Sequence, residues 1–157
     1  MEKTSPLVLC VDDEVVGLSV RRLLLEHVHY RVLTATDGPS GIEVFAANPV
    51  DAVILDYAMP GMDGGQVAHQ MRQIKPEVPI MILSAFVDLP EEILSLVDLR
   101  MTKGEGALAL FEKLGNLLAC RRIPSFAEKV APHSDESLLS DRRSDRRSDR
   151  RMSQFGD

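Results

Sequence analysis

Three runs in this chain are apolar at every position: Leu7-Val8-Leu9-Cys10-Val11, Ala52-Val53-Ile54-Leu55 and Ile80-Met81-Ile82-Leu83. A strand with one face in water alternates apolar and polar residues, whereas a strand covered on both faces reads as an unbroken apolar run. Runs of this kind suit buried parallel strands. Parallel strands need crossover connections, and those connections lay helices on both faces of the sheet.

The rest of the first 119 residues supplies those connections. Val16, Val20, Leu23, Leu24 and His27 fall on one face of a helix after the first strand. Tyr30 to Thr36 reads as a second strand, followed by Asp37-Gly38. Ile42, Phe45 and Ala46 mark a second helix that stops near Asn48-Pro49. The third strand leads to Asp56, the loop Met59-Pro60-Gly61-Met62-Asp63-Gly64 follows, and Val67, Met71 and Ile74 stripe a third helix that ends before Pro76. A fourth strand covers 78–84 and a short helix runs from Pro90 to Val97, with proline suited to its first turn. A fifth strand covers about 98–102, and Ala107, Phe111, Leu114 and Leu118 stripe the last helix. Five βα units predict an α/β, three-layer, doubly wound (βα)5 fold of flavodoxin-like type, with parallel sheet order 2-1-3-4-5.

Acidic and polar residues stand where these strands end. Asp12 and Asp13 follow the first run, Asp56 follows the third strand, Ser84 ends the fourth and Lys103 closes the fifth. In open α/β sheets, ligands bind along this carboxyl-terminal edge. Carboxylates gathered there repel one another unless a cation joins them. Asp12 and Asp13 suit a hard divalent cation, which prefers oxygen ligands and keeps some of its water. Asp56 beside it can act as a nucleophile, and attack on a phosphoryl group gives an aspartyl phosphate. Lys103 and the cation would offset charge on the phosphoryl oxygens, and the Ser84 hydroxyl would donate a hydrogen bond. Asp12-Asp13 alone also fits a helix N-cap pair; the other three positions favour the phosphoryl reading. His27 and His29 read as helix-end and turn residues, and His69 as a helix-surface residue. Met71, Met81 and Met101 are core candidates.

Together these positions resemble the receiver domain of bacterial two-component response regulators. The matching stretches are Leu-Cys-Val-Asp12-Asp13-Glu14, Ile-Leu-Asp56-Tyr-Ala-Met-Pro-Gly-Met-Asp-Gly, Ile-Leu-Ser84-Ala85 and Thr102-Lys103, spread over residues 7 to about 119. The resemblance implies that Asp56 accepts a phosphoryl group from a phosphohistidine on a histidine kinase or phosphotransfer protein. It implies Mg2+ held by Asp13, Asp56 and the backbone carbonyl of Ala58, with Asp12 acting through water. It further implies Ser84 as part of a switch, and a homodimer formed on phosphorylation is an assembly it allows. Three features depart from the family pattern. Arg100 stands three residues before the lysine, where the family usually has an aromatic residue. Gly104 replaces the proline that usually follows the lysine through a cis bond. The segment from Ser84 to Lys103 is short. Arg100 is expected to stay at the surface and act by charge, since burying an unpaired charge is costly. The Lys103–Gly104 bond is expected to be trans, with Gly104 absorbing the turn.

Composition limits the alternatives. At 157 residues, 45% apolar and 27% charged, the chain has the make-up of a soluble globular domain. Its apolar stretches are too short to cross a bilayer, and Met1-Glu2-Lys3-Thr4-Ser5-Pro6 lacks the basic start of a signal peptide, so a cytoplasmic location is expected without membrane contact. Cys10 and Cys120 are expected to be free thiols. Residues 1–120 carry 17 acidic against 9 basic residues, which argues against nucleic acid as a partner. Residues 1–121 are assigned to the receiver-like domain. Residues 122–157 are expected to form a disordered tail, because Ser-Asp-Arg-Arg repeated three times from Ser140 to Arg151 has no apolar face and sets like charges four apart. The expected function is a stand-alone, phosphorylation-controlled switch that acts through a protein partner and assists only its own phosphorylation and dephosphorylation. The alternative is an interaction module of the same fold that ignores phosphate.

Overall fold

The computed structural model describes residues 4–85 and 88–119. They lie in the first of two units into which the chain divides, Met1–Ile123. The expected tail over 122–157, the 121/122 boundary and Cys120 fall outside the described residues.

Five strands and five helices alternate: β1 (Leu7–Val11), α1 (Val15–His27), β2 (Arg31–Ala35), α2 (Gly38–Ala47), β3 (Ala52–Asp56), α3 (Gly64–Ile74), β4 (Ile80–Ser84), α4 (Glu91–Leu94), β5 (Leu99–Thr102) and α5 (Ala107–Ala119). The strands form one parallel sheet in the order β2-β1-β3-β4-β5, the order the crossovers predicted. β1, β3 and β4 are buried at every residue, so their lack of alternation has its physical cause in two covered faces.

Successive residues of a strand point to opposite faces, so each buried run feeds two cores. Leu7, Leu9, Val11, Val53, Leu55 and Ile80 pack with Phe45 of α2 and with Val67, Ala68 and Met71 of α3. Val8, Cys10, Ile54, Met81, Leu83 and Met101 pack on the other face with Leu18 and Leu25 of α1 and Leu110, Leu114 and Leu117 of α5. Met71, Met81 and Met101 are core residues as expected. Cys10 is a free, fully buried thiol, and burial pushes it up to about 12.

Two helix faces differ from the periodicity read in the sequence. In α1, Val16 is 73% exposed, Val20 51% and Leu23 66%, while Leu18 and Leu25 face the core. Both sets satisfy helical spacing, and only the packing of α1 on the sheet selects between them. In α5 the inward stripe is Leu110, Leu114 and Leu117, with Phe111 and Leu118 half-buried beside it. Ile74, at the end of α3, is exposed. The short helix α4 covers Glu91–Leu94, half the length of the Pro90–Val97 expectation.

Turn chemistry sets the helix starts. Asp37 caps α2 by accepting from Ser40 N at 2.7 Å. Asp63 and Gln66 form a reciprocal capping box on α3, with Gln66 N to Asp63 Oδ1 at 2.9 Å and Asp63 N to Gln66 Oε1 at 3.0 Å. α1 leaves its N-cap, Glu14, without a side-chain cap bond.

Candidate functional site at the carboxyl edge of the sheet

The register carries the predicted residues to one edge. Val11 pairs with Leu55, Asp56 with Leu83 and Ser84 with Thr102. Asp12, Asp56, Ser84 and Lys103 therefore each lie at or one residue past the last rungs of neighbouring strands. Asp12, Asp13 and Asp56 each bring one carboxylate oxygen within 4.8 Å of the others. Asp12 and Asp56 are buried, and Asp13 is exposed at the rim.

Cations hold this cluster together. Lys103 Nζ lies 3.1 Å from Asp56 Oδ1 and 3.5 Å from Asp12 Oδ2. Asp56 Oδ1 is buried and, apart from this ion pair with Lys103, meets no hydrogen-bond donor. Asp12 is more committed: its Oδ1 accepts from Glu14 N at 2.9 Å, and its Oδ2 also meets Arg21 Nη1 at 3.3 Å. Burial, reinforced by the Asp12 carboxylate, pushes Asp56 up to about 6 despite Lys103. Burial works against the Lys103 ammonium, but the two carboxylates outweigh it and hold its pKa above the ordinary value.

The donor set suits a hard divalent cation. Three carboxylates converge, one buried oxygen lacks a hydrogen-bond donor, and the ligand atoms are all oxygen. Ala58 follows two residues after Asp56 in the exposed loop that leads to α3.

Ser84 is buried at the end of β4, and its backbone carbonyl accepts from Lys103 N at 3.0 Å, which ties the two site residues at neighbouring strand ends. Arg100 is exposed on the edge strand β5, where its carbonyl accepts from Lys113 Nζ at 3.3 Å. The Lys103–Gly104 bond is trans, as is every peptide bond among the described residues. Gly104 lies in the turn as expected, which Glu105 N closes by donating to Thr102 O at 3.2 Å, but it does so without a positive φ; the positive φ of 88° falls at Gly106. The Glu105 carboxylate braces the same turn by accepting from Thr102 N at 2.7 Å. Arg21 was absent from the residues singled out in the sequence. It sits between Leu18 and Leu25 on the stripe that turns inward, which the sequence alone did not distinguish from the Val16-Val20-Leu23 stripe, and an inward arginine needs a carboxylate.

Comparison with known proteins agrees with this arrangement. The family model of the response regulator receiver domain matches residues 8–103. The autoinducer 1 sensor kinase/phosphatase LuxN of Vibrio harveyi is 35% identical over 116 residues, which are 73% of this chain and 14% of that protein. The transcriptional regulatory protein GlrR of Escherichia coli is 31% identical over 131 residues, 82% of this chain and 28% of the relative. The chain thus spans well under half the length of these curated relatives. Among solved structures, the response regulator TrrA of Thermotoga maritima, in complex with Mg(2+)-BeF, superposes with a TM-score of 0.68 at 29% identity, covering 71% of this chain and 98% of that one. A CheY-like receiver domain from Methanospirillum hungatei, at 21% identity, shares the fold with a TM-score of 0.70 over 74% of this chain and 96% of its own. With the strand order, the acidic cluster and the family match in agreement, the chain belongs to the response regulator receiver domain family and to phosphorylation-based two-component signalling.

Proposed function

We propose that Asp56 is the phosphoryl acceptor of a switch loaded by a histidine kinase or phosphotransfer protein and read by a protein partner. The observation that carries this reading is the state of Asp56: a buried carboxylate beside Lys103, with one oxygen that no hydrogen bond occupies. A carboxylate placed only for stability would be satisfied by donors.

In the proposed reaction a carboxylate oxygen of Asp56 attacks the phosphorus of a phosphohistidine. The O–P bond forms as the P–N bond breaks, and the electron pair leaves with the imidazole, which takes a proton. The Lys103 ammonium offsets charge on the phosphoryl oxygens, and the Ser84 hydroxyl donates to one of them. Asp12, Asp13 and Asp56, with the carbonyl of Ala58, would hold Mg2+, which when bound neutralises part of the phosphoryl charge. The chain acts on its own carboxylate and is a switch, not a turnover enzyme.

Surface chemistry supports a protein as donor. Val16, Val20 and Leu23 form an exposed apolar stripe on α1, the helix that starts right after Asp13, and Leu108 in the first turn of α5 is 84% exposed. Large apolar side chains left exposed on a helix face mark an interaction surface. Arg100 on the exposed edge strand is the proposed readout position. Incubation with acetyl phosphate and Mg2+ should add one phosphoryl group by mass spectrometry, and Asp56→Asn should remove it. Equal labelling of the two proteins would refute the assignment.

A further inference from the structure

Arg21 is unusual in its position. It lies on the core-facing stripe of α1, between Leu18 and Leu25, and its side chain is only 13% exposed. The next residue, Arg22, behaves as a surface arginine and pairs with Glu26 at 3.0 Å in the open. A guanidinium is always charged, and turning one inward is unfavourable unless a carboxylate meets it. The carboxylate that meets Arg21 is Asp12, one of the two buried members of the acidic cluster.

We infer that Arg21 is a built-in counter-ion that competes with the divalent cation for Asp12 and thereby sets the affinity of the site. This inference rests on the proposed cation site. With all groups ionised, Asp12, Asp13 and Asp56 against Lys103 and Arg21 leave one net negative charge, and without Arg21 they leave two. Asp12 Oδ2 is shared by Arg21 Nη1 at 3.3 Å and Lys103 Nζ at 3.5 Å, and Oδ1 is taken by Glu14 N. Both Asp12 oxygens are thus committed to protein donors, whereas Asp13 is exposed and Asp56 Oδ1 has no hydrogen bond. A cation drawing on Asp12 must weaken the Arg21 contact and enter against its charge. Space for the guanidinium to withdraw is present: a cavity of about 190 Å³ between α1 and α5 is walled by Gly17, Arg21, Leu24, Met101 and Lys103 among others. Arg21 is therefore a positioning residue. It stabilises the cation-free cluster and weakens cation binding.

The test is the Mg2+ dissociation constant, measured by titration calorimetry at fixed ionic strength on the full chain. Arg21→Met should bind Mg2+ about tenfold more tightly, the scale on which residues behind metal ligands act. Arg21→Lys, which keeps the charge, should stay near the wild type. Arg22→Met removes the same charge outside the cluster and should leave the affinity unchanged. The thermal midpoint of Arg21→Met should be lower than wild type in chelator, and its rise on adding Mg2+ should be larger. If Arg21→Met binds as the wild type does or more weakly, or if Arg22→Met tightens binding equally, the inference is overturned while the proposed site stands. If the wild type binds no Mg2+ at all, both fall.

Discussion

Gly64 stands directly against the backbone of Asp56. A Cβ on Gly64 would come within 2.5 Å of the Asp56 carbonyl oxygen and 2.8 Å of Tyr57 Cα, and Gly64 N donates to Tyr57 O at 2.8 Å. The obstacle is backbone, which cannot swing aside as a flexible side chain can. Gly64→Ala is therefore expected to cost about 1–3 kcal/mol of stability, the range of overpacking in a close-packed region. Urea denaturation checks this, and a variant as stable as wild type would show that α3 can move away from Asp56.

Asp56 is expected to destabilise the cation-free protein in a pH-dependent way. Its folded-state value of about 6 stands above the ordinary 3.8, chiefly through burial. Below pH 4 the carboxyl is protonated in both states and nothing is lost. Between 4 and 6 the unfolded chain releases the proton while the folded chain retains it, so stability falls as pH rises, and the deficit persists above 6. Asp56→Asn carries no such deficit. Its stability advantage in chelator should grow from pH 4 to pH 6 and then level off, and a difference independent of pH would contradict the burial argument.

Lys103 is expected to matter more for reaction than for folding. It is partly exposed, and its ammonium faces both buried carboxylates. Lys103→Met should slow phosphorylation of Asp56 by acetyl phosphate by about a hundredfold, the lower end of the cost of losing one aimed donor. An unaltered rate would remove Lys103 from the proposed chemistry.

Arg72 clamps the segment that follows α4. Its guanidinium donates to Leu96 O at 2.8 Å, Pro76 O at 3.1 Å and Val78 O at 2.7 Å, and it pairs with Asp98, which also accepts from Ile80 N at 2.9 Å. Arg72→Met should lower stability by roughly 3 kcal/mol, since it removes the guanidinium from the Asp98 pair and from three carbonyls at once. Thermal and urea unfolding would reveal it, and a loss under 1 kcal/mol would mean that water replaces the clamp.

His29 closes α1 with a φ of 73°, the left-handed region that suits glycine. Its N–H and that of Tyr30 reach back to Glu26 O and Leu25 O, both at 3.0 Å, so the turn is held by backbone and not by the imidazole. His29→Gly should raise stability by about 1 kcal/mol, the strain of a left-handed non-glycine residue. Destabilisation would show that the imidazole makes a contribution beyond the turn.

The strands and their order were legible in the residues themselves. A run such as Val53-Ile54-Leu55 has no polar position to expose, so both faces must be covered, and parallel strands joined by helical crossovers leave few topologies. The edge position of Asp12, Asp56, Ser84 and Lys103 followed from the same logic, since a polar residue at the end of an apolar run falls at the carboxyl edge of the sheet, where it can stay buried only among other polar groups. What the tertiary structure alone decided was direction. In α1 the stripes Val16-Val20-Leu23 and Leu18-Leu25 are equally helical, and packing against β1 and α5 turned the second inward. That choice left an apolar face in water and carried Arg21 to Asp12. The turn after Lys103 placed Gly104 where the sequence put it, but that the left-handed backbone falls at Gly106 was visible only in the structure. Local pattern specifies which residues must be buried together somewhere. Which of two permitted faces meets which strand end is fixed only when the elements pack, because that depends on contacts between residues far apart in the chain.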